Sequence, residues 1–242
     1  AKDILKTLSL EEKVSLMSGS EIRSEVRGAI RKKLKVHYNE HPYRAGGIKE
    51  KDIPAMLFAD GTRGVVCGCK KATCFPVASM RGAAFDPELE EEIGREVLDV
   101  GANFFGGVCV NLPYHPGWGR AQEVYGEDPY LLGRMGSALV RGVQENGVIA
   151  CVKHFAFNSM ENARFKVSIE CDKRTEREIF FSHFKKCIDA GAGSVMSAYN
   201  RYQGAMCGEN EYLLRQVLRN EWDFDGFTIC DFVWGVKDTV AA

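Results

Sequence analysis

Apolar runs that stop abruptly on charged side chains recur along this chain. Val148-Ile149-Ala150-Cys151-Val152 leads straight into Lys153-His154-Phe155. Gly226-Phe227-Thr228-Ile229-Cys230 closes on Asp231, and Ile53-Pro54-Ala55-Met56-Leu57-Phe58-Ala59 closes on Asp60. Short continuous apolar runs suit strands buried on both faces. A lysine almost never ends such a strand unless its charge is wanted there. Polar residues at the carboxyl ends of several parallel strands are how a β/α barrel assembles a site at its mouth.

The spacing of the runs supports that architecture. Strand-like runs lie near 53–60, 77–85, 103–112, 148–155, 166–171, 193–199 and 226–231. Helical patterns separate most of them: Pro87 to Val100, Pro129 to Glu145, Lys173 to Ala190 and Glu211 to Trp222. Asp86-Pro87 and Asp128-Pro129 each set a capping carboxylate before a proline of the first turn. Ser9 with Glu12 reads as a capping box, and Gly191 and Gly193 mark a helix-to-strand turn. Strand then helix, repeated, predicts an α/β fold with a parallel sheet. We expect a (β/α)8 TIM-type barrel, truncated after its seventh strand, since the closed form needs eight. Residues 1–52 read as an N-terminal helix and a basic connecting segment, and 53–242 as the incomplete barrel.

Composition narrows the function. A net charge of −1 with 27% charged residues gives no electrostatic reason to expect nucleic acid or an anionic membrane. No apolar stretch approaches the ~20 residues of a membrane span, and Ala1-Lys2-Asp3 does not open a secretory signal. The nine cysteines are scattered, several inside apolar runs (Cys109, Cys151, Cys230), and there is no Asn-x-Ser/Thr site. Both points favour a reducing, cytoplasmic setting. Cys67, Cys69 and Cys74 cluster without paired C-x2-C spacing or a nearby histidine, so they read as free thiols in a loop. His37 and His41 share i, i+4 spacing but lack a third ligand. No metal or cofactor is expected, and homo-oligomerisation is left open.

At the mouth of such a barrel Asp60 would close the first strand and Arg120 would lie after the third. Lys153 and His154 would close the fourth, Met196 and Tyr199 the sixth, and Asp231 the seventh. Carboxylate acceptors among Arg, Lys and His donors suit the hydroxyls of a sugar. Trp118, Phe155, Tyr199 and Trp234 offer apolar faces for a pyranose ring. Asp231 then stands where a carboxylate can attack or stabilise an anomeric carbon. Neighbouring basic side chains would favour its ionised state.

The ordered motifs have a family look. Leu8-Ser9-Leu10-Glu11-Glu12-Lys13, Ala59-Asp60-Gly61, His115-Pro116-x-x-Gly119-Arg120 and Glu127-Asp128-Pro129 come first. Lys153-His154-Phe155, Ser197-Ala198-Tyr199-Asn200 and Phe224-Asp225-Gly226-Phe227-x-x-Cys230-Asp231 follow. Together, from about residue 8 to 235, the chain resembles the N-terminal barrel of glycoside hydrolase family 3, the β-glucosidase and β-xylosidase type. The resemblance implies a retaining, exo-acting β-glycosidase with Asp231 as the nucleophile that forms the glycosyl-enzyme. It also implies that Asp60, Arg120, Lys153, His154 and Arg164 hold the terminal sugar, with Met196 and Tyr199 lining the subsite; Trp234 is added to the substrate-binding set for its apolar face. An aspartate at 60 favours glucose over xylose.

The chain departs from the family pattern in places. Cys230-Asp231-Phe232 stands where serine, aspartate and tryptophan are usual, with Trp234 two residues on. Ala121-Gln122-Glu123 replaces a common asparagine, phenylalanine, glutamate run, and Phe165 stands where histidine is frequent. A retaining glycosidase also needs a second carboxyl group about 5 Å from the nucleophile. Glu123, Glu127, Glu161 and Glu170 are the local options, none convincing. The family supplies this glutamate from a later domain or loop, so a second segment or chain is the expected partner, besides a β-linked glucoside or oligosaccharide. Two rivals stay open: a non-catalytic sugar-binding module of the same fold, and an aldolase using Lys153 as a Schiff base.

Overall fold

The computed structural model describes residues 2–19, 39–238 and 240. Two short helices, α1 (Lys2–Lys6) and α2 (Leu10–Leu16), precede β1 (Tyr43–Ala45) and β2 (Met56–Ala59). Then follow α3 (Ala78–Ala84), α4 (Glu88–Asp99), β3 (Phe104–Cys109), α5 (Pro129–Glu145), β4 (Ile149–Phe155) and β5 (Ser168–Ile169). The chain continues through α6 (residues 173–189), β6 (Ser194–Ser197), β7 (Arg201–Tyr202), β8 (Ala205–Met206), α7 (Tyr212–Glu221) and β9 (Phe227–Cys230). Most of the basic segment, residues 20–38 with His37, lies outside the described residues.

Helices begin where the sequence provides caps. Ser9 Oγ accepts from the Glu12 amide at 3.2 Å while Glu12 accepts from the Ser9 amide at 2.7 Å, completing the capping box of α2. Asp128 accepts from the Tyr130 amide at 2.8 Å ahead of α5, and Asp86 from the Glu88 amide at 3.1 Å ahead of α4. Helix α5 then buries Leu132, Met135, Leu139, Val140 and Val143. Each such side chain contributes roughly 1.5–3 kcal/mol relative to exposure.

The main sheet runs β1-β2-β3-β4-β6-β9, parallel throughout except for β1, which pairs antiparallel with β2. It forms an α/β half-barrel with helices on its outer side. Successive strand residues face opposite ways, and the packing divides accordingly. Ala59, Phe105, Val152 and Val195 join the large core against the helices. Their neighbours Phe58, Phe104, Cys151 and Met196 form a second, smaller cluster on the inner face, with Phe227, Ile229 and Phe232 beside it. Two residues beyond Phe58, Cys151 and Ile229 come Asp60, Lys153 and Asp231, so the pleat directs all three to the inner side.

Two of the seven runs expected as strands fold otherwise. The run at 77–85 is α3, rich in alanine, the best helix former. Its Gly82 lies against the Tyr125 carbonyl, where a Cβ would come within 1.9 Å. The run at 166–171 yields only the two-residue β5, which joins β7 and β8 in a separate three-stranded sheet. Five of the expected strands therefore stand in the parallel sheet among the described residues. Strand β1 was not expected, because Tyr43-Arg44-Ala45 carries no apolar run. No helix of the described residues is long and apolar enough to cross a membrane.

A buried ion pair joins α3 to α4. Arg81 Nε lies 2.5 Å from Glu90 Oε1, with both side chains almost wholly buried. The Tyr125 hydroxyl donates to Glu90 Oε2 at 2.7 Å, and Arg81 Nη2 donates to the Thr62 carbonyl at 3.0 Å. The pair thereby braces the loop after β2 and the loop carrying Arg120. Removing one partner leaves the other charge buried and unpaired, which costs about 3–5 kcal/mol. Glu90→Gln should lower the urea midpoint by a corresponding amount with an unchanged m value; a loss under about 1 kcal/mol would show that Arg81 finds other support.

Candidate active site

The inner side of the strand ends collects most of the residues singled out from sequence. Strand β4 places Lys153 at 3% exposure, a position tolerable for an ammonium only beside a carboxylate. Asp60, at the end of β2, provides it at 2.6 Å. Burial pulls the lysine down, but the charge and hydrogen bond of Asp60 win and hold it above its ordinary value. Asp60 can reach this spot because β3 carries Gly106-Gly107: a Cβ on Gly107 would come within 2.0 Å of the Gly61 carbonyl.

His154, next along β4, is held by a residue that sequence reasoning missed. Asn111 Oδ1 lies 2.9 Å from His154 Nδ1 and accepts from the His154 amide at 2.9 Å, while Asn111 Nδ2 donates to the His154 carbonyl at 2.8 Å. The signal available was an asparagine in the apolar stretch after β3, at Cys109-Val110-Asn111-Leu112. On its other side His154 Nε2 lies 3.3 Å from Arg120 Nη1 and 3.7 Å from Asp231 Oδ2. Burial, reinforced by Arg120, Lys153 and Arg164, drives the imidazole well below its ordinary value, so it is neutral.

Asp231 follows β9 at 6% exposure. Its Oδ1 accepts from the Phe232 amide at 2.8 Å, whereas Oδ2 is buried with no hydrogen-bond partner among the described residues. Of the basic neighbours expected to favour its ionised state, Lys153 and Arg120 do so, but they are outweighed. Desolvation is the largest influence and raises the carboxyl above its ordinary value, although Lys153, the Phe232 amide, Tyr199 and Arg120 pull the other way. His154, counted among the basic neighbours, is uncharged and contributes nothing to that pull.

A rim surrounds this centre. Glu123 grips Arg120 with two hydrogen bonds of 2.9 and 2.8 Å, which keeps the guanidinium firmly charged despite its burial. Glu161 accepts from Arg164 at 2.7 Å and from Trp118 Nε1 at 3.1 Å. Arg164 in turn lies over the adjoining rings of Tyr199 and Phe165, with its guanidinium carbon 4.7 and 4.9 Å from the ring centres, which are themselves 5.0 Å apart. Trp234, nearly half exposed, meets Phe165 edge-on at 5.8 Å. The Tyr199 hydroxyl donates to the Phe232 carbonyl at 2.6 Å.

Three expectations are adjusted by this geometry. Phe155 is not a sugar platform: the β4–β6 register slips after Val152, and the ring lies fully buried against Phe181, Phe184 and Trp222 on the helical side. Trp118 is buried and serves as a donor to Glu161. Met196 packs into the inner apolar cluster beneath the strand ends. Among the carboxylates weighed as proton donors, Glu123 and Glu161 are engaged with arginines, and Glu170 accepts from the Ser168 hydroxyl at 3.1 Å. No group of three or more His, Cys, Asp or Glu side chains among the described residues could hold a metal ion.

Residues 28–241 match the family model described as the glycosyl hydrolase family 3 N-terminal domain. Thermostable beta-glucosidase B of Acetivibrio thermocellus is 34% identical across 99% of this chain and 31% of its own length. An exo-alpha-(1->6)-L-arabinopyranosidase of Bifidobacterium longum is 33% identical across 96% of this chain and 30% of its own length. Beta-glucosidase 3B of Thermotoga neapolitana, solved in complex with glucose, superposes with a TM-score of 0.85 at 35% identity, covering 95% of this chain and 33% of that one. The chain spans about a third of the length of these relatives. By the match over nearly its whole length, the chain belongs to glycosyl hydrolase family 3, as its N-terminal domain.

Proposed function

We propose that this chain is the glycone-binding and nucleophile-bearing part of a retaining, exo-acting β-glycosidase, with a β-glucoside as its substrate. The observation that carries the proposal is the buried Oδ2 of Asp231, without a hydrogen-bond partner among the described residues, beside the Lys153–Asp60 and His154–Arg120 pairs. An oxygen left without hydrogen bonds at that depth is costly unless a ligand atom meets it. In the first step Asp231 Oδ2 bonds to the anomeric carbon as the glycosidic C–O bond breaks. The leaving oxygen takes a proton from an acid outside this segment. In the second step water, deprotonated by the same group, displaces the aspartate.

The remaining residues bind and orient. Asp60 accepts from two outer hydroxyls of a hexose, and Lys153 and Arg120 donate to others. Neutral His154, donating through Nδ1 to Asn111 Oδ1, accepts through Nε2. The relatives include enzymes named for glucosides and for an arabinopyranoside, and Asp60 supports the hexose.

The test uses the polypeptide at the full length of its relatives. A 2-deoxy-2-fluoro-β-glucoside with a good leaving group should inactivate it, and peptide mapping should find the sugar on Asp231. Glucose binding without any label would instead select the non-catalytic sugar-binding module, and a borohydride-trapped adduct on Lys153 would select the aldolase.

Asp231→Asn should act on activity and stability in opposite directions. Turnover of the β-glucoside should fall by about 10³-fold or more, roughly 4 kcal/mol of barrier. A raised folded-state carboxyl means the folded chain keeps its proton to higher pH than the unfolded chain, whose value is near 3.8. The stability linked to this group is therefore fully present below that value and is lost as pH rises through the window above it. Asparagine mimics the protonated form, so the variant should melt higher than its parent at pH 7. The difference should close as the pH falls towards about 4. A variant that melts lower at pH 7 would show that Lys153 and Arg120 outweigh burial.

A further inference from the structure

The turn Cys67-Gly68-Cys69 lies beside the strand-end site and is linked to it through the backbone. The two sulfurs stand 3.3 Å apart, unbonded, with Cys67 buried and Cys69 exposed. Cys69 points its thiol at the Val100 carbonyl, 3.6 Å away. Burial and the adjoining Cys69 push the Cys67 thiol above its ordinary value, so the exposed Cys69 is the sulfur that an incoming oxidant meets first.

Two hydrogen-bonded paths run from this turn to Asp60. Gly68, between the cysteines, donates its amide to the Asn39 carbonyl at 2.9 Å. Asn39 is fully buried, accepts from the Asp60 amide through Oδ1 at 2.8 Å, and donates to the Phe58 carbonyl through Nδ2 at 3.2 Å. On the second path, Val66, just before Cys67, donates its amide to the Asp60 carbonyl at 2.7 Å. The amide and the carbonyl of Asp60 are thus both held from the thiol turn. Gly68 is itself closely packed, since a Cβ there would sit 3.1 Å from Glu40 Cα. Displacement of the turn has little slack in which to dissipate.

We propose that Cys67 and Cys69 are a redox modification site: they close reversibly into a disulfide that displaces Asp60 from Lys153 and weakens sugar binding. This rests on the reading of Asp60 as a ligand of the sugar. A peroxide is the oxidant. The Cys69 thiolate attacks the peroxide O–O bond, giving the sulfenic acid and hydroxide. The Cys67 thiol then attacks that sulfur and releases water. Net, two thiols and one hydrogen peroxide give one disulfide and two waters, and a dithiol reverses the change by exchange. A disulfide bond of about 2.05 Å draws the sulfurs roughly 1 Å closer, and the strain falls on Gly68 and Val66.

The experiment compares the full-length polypeptide, reduced or treated with hydrogen peroxide, by peptide mapping and by glucose-binding calorimetry. Oxidation should join Cys67 to Cys69, weaken glucose binding by about fivefold or more, and be undone by dithiothreitol. Cys69→Ser should keep the reduced affinity after peroxide. Cys74→Ser should respond like the parent, although Cys74 is exposed and its sulfur accepts from Arg63 at 3.4 Å. Absence of the Cys67–Cys69 bridge, a bridge from Cys69 to Cys74 in its place, a bridge without change in glucose affinity, or no glucose binding by the reduced protein would each overturn the proposal. Fluoroglycoside labelling of Asp231 in the reduced protein judges the glycosidase reading separately. A bridge that weakens glucose binding in a protein never labelled would reject turnover and leave the switch standing.

Discussion

An ammonium group buried under a β-sheet mouth stays charged only if a carboxylate meets it, and the Lys153–Asp60 contact of 2.6 Å is that meeting. The two residues are 93 apart in sequence, on strands separated by β3. Their attraction therefore draws the ends of β2 and β4 together across an intervening strand. Strand β3 accommodates this by presenting two consecutive glycines, Gly106 against the Phe58 ring and Gly107 against the Gly61 carbonyl. Around the pair, charge is arranged in matched sets: Arg120 with Glu123, Arg164 with Glu161, Arg81 with Glu90. Asp231 stands outside these matched sets. Its nearest ionisable contact, His154, is held neutral by burial and by the cations around it.

That imbalance is a familiar property of reactive sites, where a group is kept in an environment that does not satisfy it. Here the supporting structure is extensive. Asn111 makes three contacts with His154, and the Phe232 peptide links Asp231 to Tyr199 by its amide on one side and its carbonyl on the other. The aromatic layer of Phe155, Phe181, Phe184 and Trp222 anchors the end of β4 from behind. Rigid surroundings are what let an oxygen remain unsatisfied without the chain collapsing onto it.

Much of this was legible in the sequence because strand ends announce themselves. The switch from apolar residues to Asp60, Lys153 and Asp231 marked both the strand termini and the chemistry. The Asp-Pro caps marked the starts of α4 and α5. What could not be read were features set by tertiary packing. Ala78 to Ala84 looks like a strand by apolarity, and only its contacts with Tyr125 and Glu90 show why it coils. The two-residue β5 is held by pairing with β7 rather than by any pattern of its own. Asn111 resembles any polar residue ending a strand until the backbone of His154 lies beside it. The net balance at Asp231 could not be read because a sequence lists neighbouring charges but not the water removed from around them.

The apolar floor of Phe58, Phe104, Cys151 and Met196 has one more consequence. All four are buried, so the strand ends carrying Asp60, Lys153 and Asp231 rest on an apolar floor. On the proposed glycosidase reading, water cannot approach Asp231 through this apolar floor and would come from the side on which the aglycone departs. On the same reading, the exposed pair Phe165 and Trp234 would then bear on whether water or an alcohol takes the sugar.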